Sequence, residues 1–246
     1  MLRRWIWLLS ALLMIIPACK RSTPLPAEAR QRIEAARKHS ENRIRTRFAD
    51  VGVSYPASRL FLRAFKHTQI LELWASSSPS EPLRKIATFP LLAQSGSLGP
   101  KKREGDRQIP EGLYSIAVLN PLSSYHLSLG LDYPTPRDLR HADPAAPGSD
   151  IYIHGGARSI GCLAIGDDAI EEIFLAVSDS TSPSGSPPAA ETIPIPVHIF
   201  PAPMHGPAWE QLAAEHTARD PSLAPFWAEL QQHYTAFEAT HRIDPQ

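Results

Sequence analysis

The chain has 246 residues, 43% of them hydrophobic, with 25 Lys and Arg balanced by 25 Asp and Glu. Balanced charge provides no broad cationic surface, so nucleic acid is excluded as an expected partner. Two cysteines cannot build a disulfide framework, and 25 prolines scattered between apolar runs suit a loop-rich β domain.

In chain order, residues 1–19 read as a targeting segment. Arg3 and Arg4 precede an almost wholly apolar run from Trp5 to Ile16. That run is shorter than the ~20 residues of a bilayer-spanning helix. It ends in Ile16-Pro17-Ala18-Cys19, which resembles a lipobox with Pro17 as an unusual occupant. The expectation is export with lipid on Cys19, which would tether the protein to a membrane surface. The simpler reading is a secretory signal with an incidental cysteine.

Residues 20–50 follow as a polar tether and a charged helix, with Ile33, Ala36 and Ile44 as a thin apolar stripe. The helix is expected as a solvated spacer or packed on the domain. Alternating apolar and polar residues predict strands at 60–65, 70–76, 83–89, 113–119, 125–131 and 151–154. A helix is expected at 167–177, capped by Asp167 or Asp168, with an exposed Ser/Pro-rich loop at 178–192. The strand at 193–200 carries Pro194 and Pro196, which predicts an edge position. Two helices close the chain at 209–219 and 222–241. Strands with appended helices indicate an α+β, antiparallel β-rich, sandwich-like domain over 51–201 and a C-terminal helical extension over 202–246.

The chemistry concentrates in IYIHGGARSIGCLAIGD, residues 151–167, where His154 ends a strand and Cys162 lies beyond a glycine-rich loop. A lone thiol in an oxidising compartment is either buried and inert or used. A nucleophilic thiol needs a base, and an imidazole with pKa ~6.5 is suited to that task. Gly161 and Gly155 permit close approach, and the Gly161 and Cys162 amides are the expected oxyanion donors. Ser159 is expected to orient the loop or the imidazole. Taken alone, His154 would be a strand-end histidine satisfied by backbone. Arg107 and Glu111 flank the 109–112 turn, either as a turn-stabilising pair or with Arg107 touching substrate. Tyr125 and His126 are candidates for a substrate groove or for packing. His141, His198, His205 and Asp143 lack metal-ligand spacing and are expected at the surface or in loops. No metal or cofactor is expected. Trp227, Tyr234 and Phe237 share a face of the last helix and suit core packing.

Four co-linear segments carry a family resemblance: GDRQIPEGLYSI at 105–116, LNPLSSYHLSLGLDYPTPRD at 119–138, the 151–167 stretch, and FWAELQQHYTAFEAT at 226–240. Together they resemble YkuD-type L,D-transpeptidases, and more closely the YafK-like branch of Gram-negative bacteria. Two departures from most members stand out, and the YafK-like branch shares both. Ser159-Ile160-Gly161-Cys162 replaces a Ser-His-Gly-Cys quartet, and Leu163, Ala164 and Ile165 stand where an arginine usually follows the cysteine. The resemblance implies a Cys162 thioester on peptidoglycan stem peptides with His154 as general base. An amine acceptor gives a transpeptidase; water gives an amidase or carboxypeptidase that trims stems or frees a wall-linked lipoprotein. The reading of another class is a non-catalytic wall-binding lipoprotein. A periplasmic, lipid-anchored location follows from the leader, with the outer membrane favoured because Lys20, rather than aspartate, follows Cys19.

Overall fold

The computed structural model describes residues 25–181 and 193–243; the leader, Cys19 and most of the expected Ser/Pro-rich loop lie outside them. The elements run α1 (Ala27–Asp50), β1 (Arg59–Phe65), β2 (Ile70–Ser76), β3 (Arg84–Pro90), β4 (Gly112–Asn120) and β5 (Ser128–Leu131). After a single 3-10 turn (Asp138–Arg140) come β6 (Tyr152–His154), β7 (Leu163–Ala164), α2 (Asp167–Thr181), β8 (Ile193–Phe200), α3 (Gly206–Arg219) and α4 (Leu223–Thr240). No helix of the described residues is long and apolar enough to cross a membrane.

The strands form one sheet in the order β3-β2-β1-β8-β4-β5-β6-β7, antiparallel except at β1–β8 and β6–β7. The sheet curls until its ends meet: the Leu92 N–H, just beyond β3, donates to the Ala164 carbonyl of β7 at 2.8 Å. This α+β architecture agrees with the expectation from the strand and helix pattern.

Strand periodicity explains two cores. On β1, Leu60, Leu62 and Ala64 face the main core, whereas Phe61 and Phe65 face the C-terminal helices. Phe61 lies 4.9 Å from Phe237 of α4 between ring centroids, and Phe65 lies 6.2 Å from Tyr234. Both faces of the sheet are therefore covered here, and Arg63 is buried with the apolar residues of β1. Arg63 pairs with Glu72 and Glu238 at 2.8 and 2.5 Å. Lys66 is fully buried beside Glu111 at 3.1 Å. Glu111 thus has no part in a turn pair with Arg107.

Two further expectations are corrected. β8 is central rather than at an edge. Its pairing with β1 begins only at Val197, after both prolines, so the missing N–H groups fall where the β1 side has no ladder to fill. His198, expected at the surface, sits buried in this strand against Phe61, 4.8 Å away. Burial pushes its pKa down from 6.5 to about 3.

On the other side, α1 packs along α2, which runs four residues past the expected end at Val177. Arg37 binds Asp179 through two nitrogens at 3.0 and 2.6 Å, and Arg43 and Arg47 converge on Glu172 at 3.0 and 2.6 Å. Glu172 is buried, so the charges of α1 dock the helix on the domain as well as solvate it.

Candidate active site

β6 and β7 set the site through their register. They pair in parallel, Ile153 with Leu163 and His154 with Ala164, so one step outward places Cys162 beside Tyr152. In-register parallel neighbours share a face, and side chains alternate with period two. Ile153 and Leu163 consequently enter the core, while Tyr152, His154 and Cys162 line a cavity of about 730 Å³ on the opposite side. With strands ~4.8 Å apart and a rise of ~3.3 Å per residue, His154 and Cys162 are diagonal neighbours roughly 8 Å apart at Cα.

His154 is buried, and its Nδ1 lies 2.6 Å from the Gly155 carbonyl. A carbonyl only accepts, so Nδ1 carries the proton and Nε2 keeps its lone pair. Burial holds the ring below its ordinary pKa of 6.5, opposed by the Gly155 bond. The resting imidazole is therefore neutral at neutral pH. Tyr125 lies over it with ring centroids 4.7 Å apart.

Cys162 is half-buried, and its Sγ donates to the Asp150 carbonyl at 3.5 Å. Burial pushes the thiol up from its ordinary value; the Tyr152 N–H pulls it down, Asp150 raises it, and Lys101 lowers it. The expected pairing thus takes a specific form: His154 and Cys162 share a face and a cavity, but the resting thiol bonds Asp150 rather than the imidazole. With its pKa raised, the resting sulfur is held as the thiol rather than the thiolate.

The expected oxyanion donors are placed differently. Ser159 Oγ accepts from the Gly161 N–H at 3.2 Å and the Cys162 N–H at 2.9 Å, and donates to the Cys162 carbonyl at 2.6 Å. A hydroxyl two or three residues upstream closes a tight turn in this way and occupies both amides. Ser159 therefore bonds within its own loop and makes no bond to the imidazole among the described residues. Gly161 adopts φ +133°, with Gln108 O 3.4 Å from where a Cβ would stand. Gly155 is more restrictive: an added Cβ would lie 2.5 Å from Asp167 Oδ1 and 2.8 Å from the Tyr125 carbonyl.

The substrate candidates separate. Tyr125 and Arg107 line the cavity, and Arg107 adopts a left-handed φ of 54° with no ion-pair partner among the described residues. His126 does not line it; its Nε2 is held 2.8 Å from Glu171 of α2. Sequence reasoning missed Tyr152, Asp150 and Lys101. Tyr152 was accessible through its period-two relation to His154. Lys101, neutralised by Asp106 at 2.5 Å, comes from a distant loop with no local signal.

Among the described residues, one group has metal-ligand character: His39, Asp168 and Glu171, within 4.8 Å of one another. It lies at the α1–α2 junction outside the cavity. Glu171 already accepts from His39, Ser40 and His126, and Arg43 stands 3.7 Å from Asp168. Glu171 is therefore already satisfied by protein donors.

Residues 76–199 match the YkuD family, the L,D-transpeptidase catalytic domain. The "Putative L,D-transpeptidase YafK" of Escherichia coli (strain K12) is 29% identical over 187 residues, 75% of this chain and 69% of YafK. The crystal structure of the helical cell shape determining protein Pgp2 from Campylobacter jejuni aligns with a TM-score of 0.43 and 22% identity, over 57% of this chain and 47% of that one. The chain therefore spans about half of Pgp2. L,D-transpeptidase 1 of Mycobacterium tuberculosis aligns with a TM-score of 0.32 and 13% identity, over 58% of this chain and 62% of that one. The matched segment spans half of the chain and contains the His154–Cys162 face and the cavity floor, and the chain belongs to the YkuD family of L,D-transpeptidase catalytic domains.

Proposed function

We propose that the chain is an exported, lipid-anchored L,D-transpeptidase that acts on peptidoglycan stem peptides, the substrates of its family, through a thioester on Cys162. The observation that carries this reading is the β6–β7 register, which puts a neutral imidazole and the chain's second cysteine on one face over a cavity.

The steps follow from the groups present. Cys162 Sγ leaves the Asp150 carbonyl, gives its proton to His154 Nε2 and attacks a stem-peptide carbonyl carbon. The tetrahedral intermediate collapses as the C–N bond breaks, and the imidazolium returns the proton to the departing amine. An incoming amine, deprotonated by His154, then attacks the thioester; the new amide forms and the thiol is restored. The Nδ1–H bond to Gly155 keeps Nε2 facing the chemistry throughout. Arg107 supplies a guanidinium for a stem-peptide carboxylate, in a chain without the arginine that usually follows the cysteine. Cys19 carries the lipid, and the periplasm is the site of action.

Purified sacculi digested with the protein and resolved by mass spectrometry test the assignment. New 3-3 cross-links, absent with Cys162→Ala, support transfer. Released monomers or freed wall-linked lipoprotein, again dependent on Cys162, would replace transfer by hydrolysis. Products identical for wild type and Cys162→Ala would leave a non-catalytic wall-binding protein. A Cys19→Ser variant that still fractionates with membranes would remove the lipid anchor from the proposal.

A further inference from the structure

We infer that α1 belongs to the working site: Arg32, together with the Glu171 cluster, holds the loop at 123–126 so that Tyr125 stays over His154. This rests on His154 acting as the base. Helix α1 lies outside the family-matched residues 76–199, yet two separate contacts tie it to this loop.

The first is Arg32. Its Nη1 donates to the Ser123 carbonyl at 3.0 Å and the His126 carbonyl at 3.4 Å, one at each end of the loop, while Nη2 is steadied by Glu28 at 3.2 Å. The second runs through Glu171. His39 and Ser40 of α1 donate to its Oε2, and its Oε1 accepts from His126 Nε2 at 2.8 Å. One carboxylate thus links α1, α2 and the loop.

These contacts offset a conformational cost. His126 adopts φ +71°, where an L side chain crowds its own backbone, and such strain persists only where surrounding contacts enforce it. The enforced backbone aims the preceding side chain. Tyr125 is 52% exposed, so it is not fixed by burial in the core, yet its ring sits 4.7 Å from that of His154. The Tyr125 carbonyl also lies where a Gly155 Cβ would meet it at 2.8 Å, so the loop rests on the residue whose carbonyl orients His154. Arg32 and Glu171 are accordingly positioning residues that act through Tyr125. The ring they hold in place keeps water from one face of the imidazole.

Three variants test this: Arg32→Ala, Arg32→Lys, which keeps an ammonium for the two carbonyls, and Arg30→Ala, an exposed control on the same helix. Glu171→Gln serves as an independent probe of the second contact. Arg32→Ala is expected to lower kcat roughly ten- to hundredfold with KM changed less than about twofold, as for misplacement of a reacting group. The His154 ring signals in 15N NMR should shift and titrate at higher pH. Arg32→Lys should recover most of both, and Arg30→Ala should change neither. Unchanged His154 signals in Arg32→Ala and Glu171→Gln would overturn the inference, even if both variants melt earlier. The NMR readout needs no substrate. If Cys162→Ala showed the enzyme assignment to be wrong, a shifted His154 signal would still establish the clasp, and an unshifted one would still reject it.

Discussion

Two polar clusters share the 97–111 segment, and they are built on opposite rules. Around Lys66 every valence is filled: Nζ donates to Ile109 O at 2.8 Å, Gly99 O at 3.2 Å and Glu111 at 3.1 Å. Glu111 in turn accepts from the Gly99 N–H and from Trp227 Nε1, both at 2.7 Å. Around Cys162 the groups are partly satisfied and face a cavity: a thiol on one long bond, an imidazole bonded through Nδ1, and an Arg107 with no ion-pair partner among the described residues. A saturated buried network fixes geometry, here tying β1 and α4 to the loops that wall the cavity. A network with open valences at a cavity retains groups that can exchange partners with a substrate. Burial lowers Lys66 and raises Cys162 for the same electrostatic reason, the cost of bare charge in a poorly polarisable interior.

The sharpest way to break this comparison is to remove the sulfur. Cys162→Ala should abolish wall chemistry by roughly 10⁴-fold or more, read as product formation by mass spectrometry, with the melting temperature nearly unchanged. A large loss of stability would place Cys162 on the structural side of the comparison.

Lys66→Met is the converse. It leaves Glu111 buried without its cation and should cost about 3–5 kcal/mol in urea unfolding. Lys66→Met combined with Glu111→Gln removes both charges and should recover much of that loss. Additive losses would show that the two residues do not act as a pair.

His198 gives a pH-dependent counterpart. Its folded pKa is depressed to about 3, so below ~6.5 the unfolded chain takes up a proton that the native ring refuses. Its contribution to stability is complete above ~6.5 and is lost as pH falls toward 3, on the order of a few kcal/mol. His198→Leu should flatten that part of the stability–pH curve; equal slopes in the two proteins would contradict it.

The smallest effect concerns the Cys162 loop. Ser159→Ala removes three hydrogen bonds from the turn and should lower kcat roughly tenfold through a less ordered nucleophile. A rise in kcat would mean instead that Ser159 blocks the two amides and that freeing them forms the oxyanion site.

Local pattern made much of this legible. Period-two alternation located six of the seven strands ahead of β8, missing the two-residue β7, and the amphipathic spacing of Ile170, Ile173, Phe174 and Val177 located α2. His154 and Cys162 were legible as a pair because one short loop joins them. What failed did so for non-local reasons. Arg63 on β1 and Lys66 just beyond it look solvent-facing; Arg63 is buried because α4, more than 150 residues later, covers that face, and Lys66 because Gly99, Ile109 and Glu111 of a distant loop enclose it. The prolines of β8 indicate an edge, but centrality depends on where the β1 ladder begins. His126 looks like a partner of Tyr125 in the groove, but a Glu171 reachable only after folding turns it away.

By itself the sequence determined which segments alternate, where the thiol and imidazole lie along the chain, and which loop joins them, because those properties depend on neighbours a few positions apart. Tertiary structure alone decided which polar groups lose water, which amides Ser159 occupies, and that an N-terminal helix reaches the loop that carries Tyr125 beside His154. Desolvation and hydrogen-bond saturation depend on what arrives from distant parts of the chain, and no short-range pattern encodes that.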